Sequence, residues 1–87
     1  LAYKILIKAS AEKDIRRLSH DVRERVASAI LSLREDPRPP GVRKLKGKGD
    51  EGWRIRVGKY RVVYQVDDNL RQVTVYRVRH RRDVYRF

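Results

Sequence analysis

The sequence predicts one α+β domain: an N-terminal strand, a two-helix hairpin packed on an antiparallel sheet, and a three-stranded C-terminal meander. Three observations predict it. Apolar residues recur at helical spacing between residues 11 and 35, the period changes to two from residue 53, and Gly58-Lys59 divides the alternating stretch. At 87 residues the chain supports one core and has no room for a second, so 1–87 is read as a single domain.

Tyr3-Lys4-Ile5-Leu6-Ile7 reads as the first strand from its β-branched and aromatic content. Ser10 is placed as an N-cap, with Glu12 and Asp14 early in the next helix, where the backbone dipole favours acids. Ala11, Ile15 and Leu18 give that helix its apolar stripe, over about 11–18. Asp21 with Glu24 three residues on resembles a capping pair. Val22, Val26, Ala29, Ile30 and Leu33 then line one face of a second helix over 22–35, which must stop before Pro37. Residues 37–41 are an extended connector. Trp53, Ile55 and Val57 alternate with Arg54 and Arg56; Tyr60, Val62, Tyr64 and Val66 alternate with Arg61, Val63 and Gln65. Glycine first in a two-residue loop suits the positive φ of a type II′ hairpin. Asp67-Asp68-Asn69-Leu70 is expected to make the second turn, and 71–79 the last strand, with Val73, Val75 and Val78 as its apolar content.

The composition narrows the partners. Lys+Arg number 23 against 11 Asp+Glu, a net charge of +12. Residues 1–42 hold nine basic and six acidic side chains, residues 43–87 fourteen and five, so the halves carry +3 and +9. The second half also holds Trp53, Tyr60, Tyr64, Tyr76, Tyr85 and Phe87. Arginine and lysine among aromatics suit RNA, whose phosphates meet the cations while splayed bases stack on rings. Cysteine is absent, which excludes disulfides and thiolate zinc, and His20 and His80 are too few for a histidine metal site. No cofactor and no metal are expected. No stretch approaches the length of a membrane span, and a cytoplasmic setting is expected.

The hairpin concentrates the charge. With Gly58-Lys59 as its loop, Val57 pairs with Tyr60, Arg56 with Arg61, Ile55 with Val62 and Arg54 with Val63. Arg54, Arg56 and Arg61 then project from the face opposite Trp53, Ile55, Val57 and Val62. Like charges placed directly across a sheet cost stability, so the Arg56–Arg61 opposition points to an anion on that face. A four-residue loop at 67–70 would set Arg61 against Tyr76 and bring Thr74, Tyr76, Val78 and His80 to the same side; a single bulge would reverse that parity. Lys44, Lys46 and Lys48 precede the hairpin and are candidates for backbone phosphates, and Arg79 and Arg82 extend the basic surface.

Four segments carry a family resemblance: Leu45-Lys46-Gly47, Trp53-Arg54-Ile55-Arg56-Val57, the run from Tyr60 to Val66, and His80-Arg81-Arg82-Asp83-Val84-Tyr85. They resemble the RelE/ParE superfamily of toxin–antitoxin toxins, and most closely its RelE-type members. The resemblance implies a RelE-like fold, metal-independent cleavage of messenger RNA in the ribosomal A site, and a cognate RelB-like antitoxin that holds the toxin in a hetero-oligomer. It implies roles as well. Arg54 and Arg56 match two basic positions on a catalytic strand, and Arg61 a phosphate-binding arginine. Arg81 matches a C-terminal catalytic arginine, with Arg79 and His80 as neighbouring alternatives, and Tyr85 a tyrosine that packs on the cleaved nucleotide.

One departure affects the chemistry. The strand positions are lysines in the RelE-type pattern and arginines here, and arginine effectively never surrenders its proton. Arg54 is therefore a poor base, and proton transfer is left to Tyr85, His80, water or the ribosome. Two alternatives accompany this reading: a ParE-type toxin directed at DNA gyrase, and an RNA-binding module that cuts nothing.

Overall fold

The computed structural model describes residues 2–45 and 52–84, the last two through their main chain only. Its elements run β1 (Lys4–Ile7), α1 (Ala9–Arg16), α2 (His20–Ser32), β2 (Arg43–Lys44), β3 (Trp53–Val57), β4 (Tyr60–Asp67), β5 (Gln72–His80) and α3 (Arg81–Val84). The strands form one sheet in the order β1-β5-β4-β3-β2. Neighbours from β5 to β2 are antiparallel, as the meander predicts, whereas β1 joins the edge of β5 in parallel and makes the sheet mixed. No helix among the described residues is long and apolar enough to cross a membrane.

The apolar stripes meet where the spacing requires. Ala11, Leu18, Val26, Ile30 and Leu33 from the helical layer pack on Ile55, Val57, Val62, Tyr64, Val73, Val75 and Val78 from the sheet. Alternation puts every second residue of β3 and β4 on this side and leaves the intervening arginines on the other.

Both capping expectations are corrected. Helix α1 begins one residue before Ser10, behind Lys8, whose side chain makes no cap bond. The Ser10 hydroxyl instead donates to the Tyr76 carbonyl at 2.8 Å. Helix α2 begins at His20 behind Ser19, again without a side-chain cap bond, and Glu24 pairs with His20 at 3.1 Å. Asp21 keeps its place in the first turn, where its charge suits the dipole.

The connector after α2 is fastened to the sheet by side chains. The buried Tyr64 hydroxyl donates to the Pro37 carbonyl at 2.7 Å, and burial raises its pKa well above the ordinary phenol range. Arg38 grips Asp68 through Nη1 and Nη2 of its guanidinium at 3.2 and 2.8 Å and lies over the Trp53 ring at 5.2 Å. Tyr3 donates to the same carboxylate at 2.7 Å, and these two donors hold Asp68 below the usual carboxylate range. Gly41, at φ +88°, then turns the chain into β2.

Replacing Tyr64 with phenylalanine keeps the ring in the core and strands the Pro37 carbonyl. Tyr64→Phe is expected to cost about 1–3 kcal/mol, the desolvation of a buried acceptor left without a donor. A lower urea midpoint with an unchanged slope is the measurement that reads it.

Candidate functional site

The β3–β4 hairpin carries the site, and its turn chemistry sets the register. Gly58 has φ +59°, while Lys59 is not among the positive-φ residues, the combination a type II′ turn needs. The pairs are Val57 with Tyr60, Arg56 with Arg61, Ile55 with Val62 and Arg54 with Val63, as the sequence predicts. Partners directly opposite share a face, so Arg54, Arg56 and Arg61 stand together on the side away from the core.

A cleft of about 400 Å³ opens on that face, lined by Gly41, Val42, Arg43, Arg54, Arg56 and Arg61. Arg43 reaches it because β2 pairs with β3 and sets Arg43 against Arg54. Arg61 forms the floor. Its residue is only 8% exposed, rare for an arginine, and its guanidinium donates to the Tyr60 carbonyl at 3.2 Å.

The third strand of the meander departs from the expected register. Arg61 lies opposite Arg79, not Tyr76. Strand β4 runs through Asp67 and pairs it with Gln72, so the turn falls one residue later than 67–70, with Arg71 in the left-handed region at φ +52°. The Leu70 amide donates to the Asp67 carboxylate at 2.9 Å and steadies that turn. Farther along, β5 carries one extra residue where the pairing shifts between Val63 and Tyr64. Val78 therefore faces the core at 3% exposure, and Thr74, opposite Gln65, stays on the arginine side.

His80 pairs with Tyr60, and their rings meet edge-on with centroids 5.5 Å apart. Tyr60 packs against the core cluster, so His80 lies on the helix side of the sheet, across from the arginine cleft. The sequence reading that brought His80 to the arginine face is corrected by the same extra residue.

The remaining candidates divide. Arg81 opens α3, is exposed, and is held beside the hairpin loop by its amide, which donates to the Lys59 carbonyl at 2.8 Å. Arg82 is exposed next to it, its amide donating to His80 Nδ1 at 3.4 Å. Lys44 pairs with Trp53 and places its ammonium 5.8 Å from that ring, on the core side and not in the cleft. Tyr85, Lys46 and Lys48 lie outside the described residues. Arg43, which lines the cleft, was missed by the sequence reading; a two-residue strand shows no periodicity, and its only signal is its place in a basic pair after Gly41.

The row Arg56–Arg61–Arg79 crosses three adjacent strands, with neighbours about 4.8 Å apart by strand spacing. Guanidinium groups are permanent cations whose paired N–H donors match phosphate oxygens. Such a row can hold a phosphate and neutralise charge that builds on it. The row itself supplies no base, and among the described residues that line the cleft there is no carboxylate and no imidazole. Among the described residues no three His, Asp or Glu side chains converge as a metal-binding group.

The whole chain resembles known proteins. Residues 5–85 match the family described as ParE toxin of type II toxin–antitoxin system, parDE. Among solved structures, free E. coli RelE (a mutant form) shares 32% identity at a TM-score of 0.74, covering 99% of this chain and 93% of that one. A chain of the archaeal RelE–RelB complex of Pyrococcus horikoshii shares 27% identity at 0.81, covering 93% and 97%. A chain of the RelBE2 toxin–antitoxin complex of Mycobacterium tuberculosis superposes at 0.82 with 23% identity, covering 92% and 99%. No curated protein matches the sequence.

Proposed function

Since the chain belongs to the RelE/ParE superfamily of type II toxin–antitoxin toxins, we propose that it is a RelE-type nuclease that cuts messenger RNA in the ribosomal A site. The observation that carries this reading is the cleft that gathers Arg54, Arg56 and Arg61, with Arg79 across from Arg61. In the proposed reaction a ribose 2′-hydroxyl attacks the adjacent phosphorus in line. The bond from phosphorus to the 5′-oxygen of the next nucleotide breaks, and that oxygen takes up a proton from Tyr85, water or a ribosomal group, leaving a 2′,3′-cyclic phosphate and a 5′-hydroxyl. Charge accumulates on the non-bridging oxygens, where Arg56, Arg61 and Arg81 stabilise it, and Arg54 and Arg79 steady the flanking phosphates.

The 2′-hydroxyl proton must leave by another route. Arginine holds its protons too tightly to act as a base, and His80 lies across the sheet, so the acceptor is Tyr85, water or a ribosomal group. Dependence on the ribosome follows physically. Free RNA rarely samples the in-line geometry, and a bound A-site codon can be held in it. Lys46, Lys48, Arg82 and the rest of the positive field steer the domain toward ribosomal RNA in the cytoplasm. A RelB-like antitoxin, of the kind bound in the P. horikoshii complex, is the proposed inhibitory partner.

The ParE family match favours a second reading, a toxin that poisons DNA gyrase by protein contact. Primer extension on cellular mRNA after induced expression separates the two. Discrete breaks within translated codons are the expected result. Growth arrest with intact mRNA, and loss of supercoiling in a purified gyrase assay, would replace the nuclease reading with the gyrase one.

A further inference from the structure

Strand β5 changes parity within its own length, and the change decides which face Arg79 occupies. From Tyr64 to Asp67 the pairing runs Tyr64–Val75, Gln65–Thr74, Val66–Val73 and Asp67–Gln72. Carried on unbroken, that register would set Arg61 against Val78 and turn Arg77 and Arg79 toward the core. The observed pairs beyond the shift are Val63–Arg77, Val62–Val78 and Arg61–Arg79.

A bulge leaves main-chain groups without ladder partners. The opposite edge of β5 loses its own strand partner at the same level: the parallel pairing with β1 ends at Ile7–Val75, followed by Lys8 N–H to the Val75 carbonyl at 2.9 Å. Helix α1 takes over at that point. Ser10 Oγ donates to the Tyr76 carbonyl at 2.8 Å, and Asp14 Oδ2 accepts the Val78 amide at 2.9 Å. Four residues apart, Ser10 and Asp14 stand one turn apart on the same helix face. Asp14 also takes the Arg77 guanidinium, Nε at 2.9 Å and Nη2 at 3.2 Å. With three donors on two oxygens and 9% exposure, this carboxylate is buried and engaged on both oxygens.

We propose that Ser10 and Asp14 form a clamp that fixes the β5 bulge, and that Asp14 is thereby a positioning residue for the arginine row, acting through Arg77 and Val78 without touching the substrate. The consequence for RNA cleavage rests on the nuclease reading above; the consequence for register does not.

The test uses the full chain carrying Asp14→Ala, with Ser10→Ala as a milder partner should the first fold poorly. Cross-strand nuclear Overhauser contacts report the register directly. The expected result is weakening of the Val62–Val78 and Arg61–Arg79 contacts in Asp14→Ala, with Tyr64–Val75 and Gln65–Thr74 retained. Ser10→Ala is expected to speed exchange of the Val78 amide. On ribosomes, Asp14→Ala should lower the cleavage rate constant on the order of 10²-fold, the scale of an ångström-level misplacement. Combining it with Arg79→Ala should add little, because both changes remove the same contact. Unchanged cross-strand contacts in Asp14→Ala, or unchanged Val78 exchange in Ser10→Ala, would overturn the clamp. A displaced register with wild-type cleavage would uphold the clamp and count instead against the role given to the arginine row.

Discussion

Replacing Arg61 with alanine is expected to slow ribosome-dependent cleavage by about 10²–10³-fold, the loss seen when one preorganised donor to a developing anion is removed. Among the cleft arginines, Arg61 is singled out by its position. It stands in the middle strand of the row, with Arg56 on one side and Arg79 on the other. It is also 8% exposed, so its field acts with little screening by water. The fold should survive, because the substitution relieves like-charge opposition across two strand pairs and its side chain lies away from the core. Arg61→Lys sharpens the measurement. It keeps the charge and loses the planar fork, so an intermediate rate is expected if bidentate contact to phosphate is what counts. Single-turnover cleavage on programmed ribosomes reads both variants, and far-ultraviolet circular dichroism confirms that each is folded.

The largest expected effect on stability is at the end of α2. Leu33 is fully buried where the helix gives way to the connector, and it packs within the cluster that joins both layers. Leu33→Ala should cost about 2–5 kcal/mol, the range for a truncated core leucine whose cavity cannot fully collapse. A domain of this size has roughly 4–13 kcal/mol in all, so the variant is expected to be marginal. Its thermal midpoint should fall by at least about 8 °C. Leu31, two residues earlier, is 58% exposed and serves as the control. Leu31→Ala should change stability by no more than about 0.5 kcal/mol. Equal effects at the two positions would mean that α2 packs by another face.

What was legible in the sequence was local. The hairpin register followed from Gly58 and the alternation around it, because a two-residue turn leaves one way to pair the strands. The helical stripes followed from spacing, and Val26, Ile30 and Leu33 are all in the core. What escaped was set by partners far along the chain. Serine before a helix usually caps it, which is the local expectation for Ser10; here its hydroxyl serves a carbonyl 66 residues away. The parallel seat of β1 joins the two ends of the chain, and no local pattern announces that. The β5 bulge did leave a trace. Val73 and Val75 share one parity and Val78 the other, yet all three are buried, so the valine spacing itself encodes the extra residue. Reading it would have returned Arg77 and Arg79 to the arginine face and His80 to the core side; the pairing of Arg79 with Arg61 also requires the turn one residue later.

The candidate site was legible in proportion to its dependence on the hairpin. Arg54, Arg56 and Arg61 were found because alternation alone brings them together. Arg43 was missed because its place depends on β2, whose two residues pair with β3 only after a connector held by Tyr64, Arg38 and Asp68.

The central claim is that this arginine cleft cuts RNA by 2′-hydroxyl attack, with the ribosome aligning the codon. The most direct measurement incubates purified toxin with mRNA, free or on ribosomes halted at a defined codon, and identifies the ends produced. The expected result is cleavage within the A-site codon, 2′,3′-cyclic phosphate and 5′-hydroxyl ends, and no cutting of the free mRNA. Intact mRNA on the ribosome, with gyrase supercoiling blocked by the same preparation, would contradict it.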